Sequence, residues 1–226
     1  VGENAVLTIV AQLSEAISSG ATNIVTIGSI DVPMSVSTDD PSIMTGTLIV
    51  PSGLDEGLVL STSNITAGTV QDKNGNAMTS TSIPTGVNAL SNSAVVVDYA
   101  PPTLQSFSVL NSQGELVSSI TVGAGTNLTI LAQMSEVIAA GSTNFITIGA
   151  VDVPMSVDTN DSTVMAGSYI VPGDLIDAST LDVVSITVGN VEDNAGKSMV
   201  STAVPTGENA LSGSSIVVDY SAPTLN

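Results

Sequence analysis

The stretch AVVVDYAPPTL (residues 94–104) is written a second time, as SIVVDYSAPTL, at residues 215–225. Each copy runs β-branched residues into an aspartate and a tyrosine, then into a proline step. Proline fixes its own φ and restricts the residue before it. The stretch therefore reads as the end of a β-strand followed by a stiff connection. Its surroundings repeat with it. VGENAVLTIVAQLSEAI from Val1 matches VGAGTNLTILAQMSEVI from Val122, DVPMSV occurs at Asp31 and at Asp152, and IPTGVNALSNSAVVVDY from Ile83 returns as VPTGENALSGSSIVVDY from Val204. Val1 corresponds to Val122, so the offset is 121 residues, and it holds at every match without a gap. A period of this length is a domain-sized unit rather than a solenoid repeat of a few dozen residues.

The phase of the repeat sets the expected organisation. Residues 103–222 form a complete unit. Residues 1–102 form a first unit that lacks the counterpart of the opening segment, and residues 223–226 begin a further one. Two readings account for the missing segment: the chain is a window on a longer array, or the first unit takes a strand from a neighbouring chain, as in donor-strand complementation.

Within the complete unit, alternation of apolar and polar residues predicts strands over 103–110, 116–122, 127–134, 144–148, 151–157, 164–171, 181–188 and 215–220. Gly149 is the expected turn of a hairpin. Pro33 and Pro154 fall inside the hairpin's second strand, which predicts an edge position because proline cannot donate to a ladder. The expected fold is all-β: tandem immunoglobulin-like sandwiches of about seven strands each.

Composition agrees with β structure and narrows the chemistry. Val, Ile, Leu, Thr and Ser prevail, Trp is absent and Phe and Tyr are rare. Lys73 and Lys197 are the two cations against 21 carboxylates, a net charge of −19. That balance excludes general nucleic-acid binding, which needs cations to neutralise phosphates, and argues against anionic membrane surfaces. No apolar run reaches the length of a membrane span, so direct insertion is not expected. Such self-repulsion calls for an offset, and divalent cations, with carboxylates and amide carbonyls as hard oxygen ligands, are the natural one. With neither Cys nor His, disulfides, thiolate catalysis and the common transition-metal sites are out. No signal peptide is legible, so a targeting segment is expected outside this stretch.

Three motifs, taken in order, carry a resemblance: AQMSEVI at 132–138, VEDNAGKSM at 191–199, and VPTGENAL with IVVDYSAPTL at 204–225. The chain resembles the bacterial Ig-like tandem repeats of very large surface adhesins and related S-layer proteins. In that family a strand ends in Ser-Glu-x-Val, a loop follows the Asp-x-x-Gly-Asn pattern, and the unit closes on Val-Asp-x-x-Ala-Pro-Thr. Tyr99 and Tyr220 depart from it, standing where a small polar residue is usual. Lys197 departs too, standing where a loop Asn is common, which predicts a poorer ligand set in the second unit. The resemblance implies an extracellular, prokaryotic cell-surface protein that extends a binding or enzymatic domain away from the cell, and Ca²⁺ stiffening the junctions between neighbouring repeats.

Strand alternation gives that implication a location. The end of the 127–134 strand, the loop after the hairpin and the loop after the sixth strand are expected at one end of the unit. The candidate ligands are Asp98, Glu136 and Asp193, with Asn194 beside them. The first unit offers Glu15, Asp72 and Asn74, and Asp219 would serve a following unit. The alternative is that these are solvated turn residues, since Asp and Asn bond local backbone in turns. DKNGNA from Asp72 is not an EF-hand loop, because its spacing is short and no closing Glu follows.

No enzyme is expected. Serines are plentiful, but no His activates one, and the lysines sit at non-equivalent positions. Asp55 and Glu56 are adjacent, as in a carboxylate pair, but the second unit does not keep the pair and a turn accounts for it. The lysines fall in loops, which argues against Lys–Asn crosslinks. Sequons begin at Asn64, Asn127 and Asn160. The paired methionines Met34 and Met155, Met44 and Met165, and Met78 and Met199 read as core filling. Three functional readings follow: a spacer of a giant adhesin whose partners are neighbouring repeats; a subunit of an S-layer or filament built from identical chains through lateral or strand-donation contacts; and a carbohydrate-binding accessory module.

Overall fold

The structure is a computed structural model that describes residues 1–85, 90–91, 95–206, 211, 215–222 and 224. Residues 86–89 and 207–210 of the Pro-Thr-Gly motifs, residue 94 of the opening stretch and most of the 223–226 segment lie outside the described residues. The chain divides into two compact units, Val1–Ala100 and Pro101–Asn226. Among the described residues both are all-β.

Unit 1 holds β1 (Val6–Gln12), β2 (Thr22–Ile27), β3 (Ile30–Val36), β4 (Ile43–Ile49) and β5 (Thr62–Ile65), in one sheet of order β1-β4-β3-β2-β5. Unit 2 holds β6 (Leu104–Leu110), β7 (Leu116–Val117), β8 (Ser119–Val122), β9 (Asn127–Met134), β10 (Thr143–Ile148), β11 (Val151–Val157), β12 (Val164–Ile170), β13 (Val183–Thr187) and β14 (Ser215–Val218). Its larger sheet runs β13-β10-β11-β12-β9-β6-β7, with antiparallel neighbours throughout. Its smaller sheet pairs β14 with β8 in parallel, from Ser215↔Ser119 to Val218↔Val122.

Alternation places the core. In β9, Leu128, Ile130, Ala132 and Met134 turn inward and are buried. Ile146 and Ile148 of β10, Val153 and Met155 of β11, and Met165 and Tyr169 of β12 meet them in one apolar cluster with Phe107, Val109, Ile216 and Val218. Unit 1 builds its own cluster on Ile9, Val25, Val32, Met34, Met44 and Leu48. The methionines do fill the core: all of the paired ones are buried except Met78, which is half-buried. Gly167 shows how closely. A Cβ there would lie 2.5 Å from Met155 Sδ and 2.6 Å from the Pro154 carbonyl oxygen, so the bare backbone of β12 leaves the space that the thioether occupies.

The strand expected at an edge is not at one. β3 and β11 each lie between two neighbours. The physical reason is that the second ladder is short: β11 meets β12 only at Ser156↔Ala166 and Val157↔Met165, and β3 meets β4 only at Ser35↔Thr45 and Val36↔Met44. Pro154 and Pro33 precede these pairs, so the missing N–H falls outside the ladder on that side.

Gly189, just past β13, is forced by close approach. A Cβ there would lie 2.1 Å from the Thr143 carbonyl oxygen, a backbone atom that cannot swing aside. Gly189→Ala should destabilise unit 2 by about 2 kcal/mol or more, read as a lowered urea midpoint, whereas Ser52→Ala, at an exposed turn residue of unit 1, should change the midpoint by less than about 0.5 kcal/mol.

Candidate metal centre

Three loops of unit 2 converge beyond the end of β9. The chain leaves β9 through Ser135 and Glu136, and Ile138 then bridges Asp193. The Ile138 N–H donates to the Ser162 carbonyl at 2.8 Å and the Ala139 N–H to the Glu192 carbonyl at 2.7 Å. The residues after β9, the loop after β11 and the loop after β13 are thereby pinned together, as strand alternation led one to expect.

Asp193 is the pivot of this end. It is 2 % exposed. Its Oδ1 accepts the N–H groups of Ala195 at 2.7 Å and Lys197 at 2.8 Å, closing a tight turn with Gly196 at φ +80°. Its Oδ2 is buried and has no hydrogen-bond partner. A buried carboxylate oxygen left without a partner costs the desolvation of that atom, about 1–3 kcal/mol or more when charged. Glu136 and Asp193 each offer a carboxylate oxygen, and these oxygens lie within 4.8 Å of one another, with Glu136 half-buried. At that spacing the two charges repel by about 3 kcal/mol in the effective dielectric near a protein surface. The group could hold a metal ion: hard anionic oxygens, close together and shielded from water, are the donor set that such an ion needs.

The remaining candidates stand apart. Asn194 is exposed. Asp219 is exposed, donates its N–H to the Val122 carbonyl at 2.9 Å and accepts the Ser221 N–H on Oδ1 at 2.8 Å. Asp98 has the matching backbone setting, donating to the Val1 carbonyl at 3.0 Å. Glu15 is exposed, and Asn74 turns its backbone N–H, at 2.8 Å, toward Asp72 Oδ1.

Asp72 reproduces the Asp193 turn with one difference. Its Oδ1 accepts the N–H groups of Asn74 and Asn76, both at 2.8 Å, and its Oδ2 accepts the Asn76 side-chain amide at 2.7 Å. Lys197 stands where unit 1 has Asn76. The expectation that Lys197 makes the second unit the poorer ligand set turns on this position. In unit 1 the Asn amide consumes the carboxylate oxygen, and in unit 2 that oxygen is left available. The signal was in the sequence as the Asn76/Lys197 difference, but its sign depends on which oxygen the side chain reaches.

The adjacent Asp55 and Glu56 have a local task. Glu56 accepts the Tyr99 N–H at 2.7 Å, and the Tyr99 hydroxyl donates to the Pro51 carbonyl at 2.6 Å. In unit 2, Asp177 accepts the Tyr220 N–H at 2.8 Å and the Ser221 hydroxyl at 2.7 Å, while the Tyr220 hydroxyl donates to the Pro172 carbonyl. These tyrosines clamp the closing stretch of each unit to a preceding loop, a role that a small polar residue could not fill.

No family model, no curated protein and no solved structure matches the chain.

Two outcomes follow. Asp193→Asn keeps an oxygen for the turn and removes one charge, so in chelator it should raise the stability of unit 2 by about 1 kcal/mol. Asp193→Ala also strips the turn of its acceptor and should lower it by about 1–3 kcal/mol. Urea melts of both variants check the pair. The second outcome concerns acid. Hydrogen bonds hold several carboxyls below the usual range: Asp72 through the Asn76 N–H and side chain, Asp161 through the Thr163 hydroxyl and N–H, and Asp177 through the Tyr220 N–H and Ser221 hydroxyl. A depressed folded-state pKa contributes stability that is present above the unfolded value, about 3.9, and is lost as pH falls through the folded value. The melting temperature should fall below about pH 4, and less steeply in Asp161→Asn, as thermal melts across pH would register.

Proposed function

We propose that the chain is a stretch of tandem structural repeats from a large prokaryotic cell-surface protein, each an Ig-like sandwich of about seven strands, and that it acts as an extracellular spacer of an adhesin. A Ca²⁺ ion bound by Glu136 and Asp193 ties the loop after β9 to the loop after β13 and stiffens that end of unit 2. The observation that carries the reading is the buried, unpartnered Asp193 Oδ2 beside the Glu136 carboxylate, in a chain with two cations against 21 acids. The absence of His and Cys favours a hard oxygen-seeking ion over zinc or copper. Two carboxylates, with backbone carbonyls and water, reach the about six to eight oxygens that Ca²⁺ takes.

Calcium should raise the melting temperature and chelation should reverse it. At about 100 times the dissociation constant the gain is about 2.7 kcal/mol. Asp193→Asn should abolish this response. Identical melting with and without EDTA would defeat the reading.

A further inference from the structure

The loop between β11 and β12 carries a motif that the roles described above leave unused. Of the three Asn-x-Ser/Thr sequences, two are built into the sheets. Asn127 accepts the Ser168 hydroxyl at 2.8 Å, and the next residue, Leu128, is 0 % exposed in the core. Asn64 stands in β5 opposite Thr26, and Thr66 Oγ1 accepts the Ile24 N–H at 3.0 Å. An enzyme taking hold of either would have to break a ladder. Asn160-Asp161-Ser162 is placed differently. Its loop is closed at the base, where the Asp158 N–H donates to the Val164 carbonyl at 2.8 Å and the Val164 N–H to the Asp161 carbonyl at 3.0 Å. Asp158 Oδ1 accepts the Asn160 N–H at 2.7 Å, which shapes the tip as a turn. Asn160 and Ser162 are exposed, and among the described residues neither the Asn160 amide nor the Ser162 hydroxyl has a hydrogen-bond partner. The tip can therefore enter another protein's groove while the sheet stays intact.

We propose that Asn160 is the N-glycosylation site of this chain, read on the folded loop by a prokaryotic oligosaccharyltransferase. In the transfer, Asn160 Nδ2 forms a bond to the anomeric carbon of a lipid-diphosphate-linked sugar. The bond from that carbon to the diphosphate oxygen breaks, the lipid diphosphate leaves with the electron pair, and one amide proton passes to solvent. The Ser162 hydroxyl is the second group that the acceptor groove holds. Asp158, two residues ahead of Asn160, adds a fixed negative charge that a basic groove recognises. Asn64 has Thr62 at that place and Asn127 has Gly125. In unit 1 the corresponding residues are Asp39, Asp40 and Pro41, which offer neither amide nor hydroxyl, so one unit of the pair is marked and the other is not. The site rests on the cell-surface reading for its encounter with the enzyme, and the cation plays no part in it.

The test incubates the intact folded chain with a purified prokaryotic oligosaccharyltransferase and a polyprenyl-diphosphate-linked oligosaccharide, so its outcome does not depend on where the chain resides. The mass should rise by one oligosaccharide, and peptide mapping should place it on Asn160. Asn160→Gln and Ser162→Ala should accept none, with urea melts matching the parent, while Ser162→Thr should accept as the parent does. Asp158→Asn keeps an oxygen for the turn and removes the charge, and should be glycosylated at least tenfold more slowly. No transfer, transfer to Asn64 or Asn127 instead, transfer retained in Ser162→Ala, or an unchanged rate in Asp158→Asn would each overturn the proposal. The chain recovered from the cell surface should carry the same modification. A surface chain of unmodified mass would overturn the proposal as well, whereas a chain found inside the cell, yet accepted by the purified enzyme, would defeat the surface reading alone.

Discussion

Each strand here turns one face of aliphatic side chains inward, and that face has to be covered along its whole length. With no Trp and few Phe or Tyr, the cover comes from Val, Ile, Leu and Met packed at short range. Small side chains fill space only where backbones come near, which is why Gly167 faces Met155 and Gly189 meets the Thr143 carbonyl. The parallel β8–β14 sheet and the β6–β7 arm serve the same requirement in unit 2.

Surplus negative charge is the second constraint. Most of the carboxylates described above are spent on backbone N–H groups, as Asp72, Asp161 and Asp177 are. Hydrogen bonds from N–H groups stabilise the charged form without any cation. The group around Asp193 is the exception, because that residue's second oxygen is buried with no hydrogen-bond partner. The two units share a loop design, and a single side chain, Asn76 or Lys197, decides whether its carboxylate is closed by an internal amide.

Much of the architecture was legible because period-two alternation is strong in this chain. The strand read at 127–134 is β9 residue for residue, and the one at 151–157 is β11. The 181–188 strand came out shorter, as β13 (Val183–Thr187), where a register shift at Thr147/Ile148 interrupts its pairing with β10. The prolines misled, because a sequence states that an N–H is missing but not how far a neighbouring ladder extends. The convergence of Glu136 with Asp193 followed from strand direction alone. The orphaned Oδ2 could not be read, since it depends on rotamers and on what an amide or ammonium four residues away can reach. The tyrosines looked like departures from a pattern because their partners, Glu56 and Asp177, lie 43 residues earlier in the chain.

The parallel pairing of β14 with β8 bears on how unit 2 carries load. A pull from the C-terminal side of Val218 runs along the strand axis, so the register pairs from Ser215↔Ser119 to Val218↔Val122 are sheared together. An antiparallel neighbour joined by a tight turn would instead be unzipped one pair at a time. The Tyr220 clamp onto Pro172 and Asp177 lies just beyond those pairs and takes the tension first. Mechanical strength in this unit is thus set by strand direction and by one phenol.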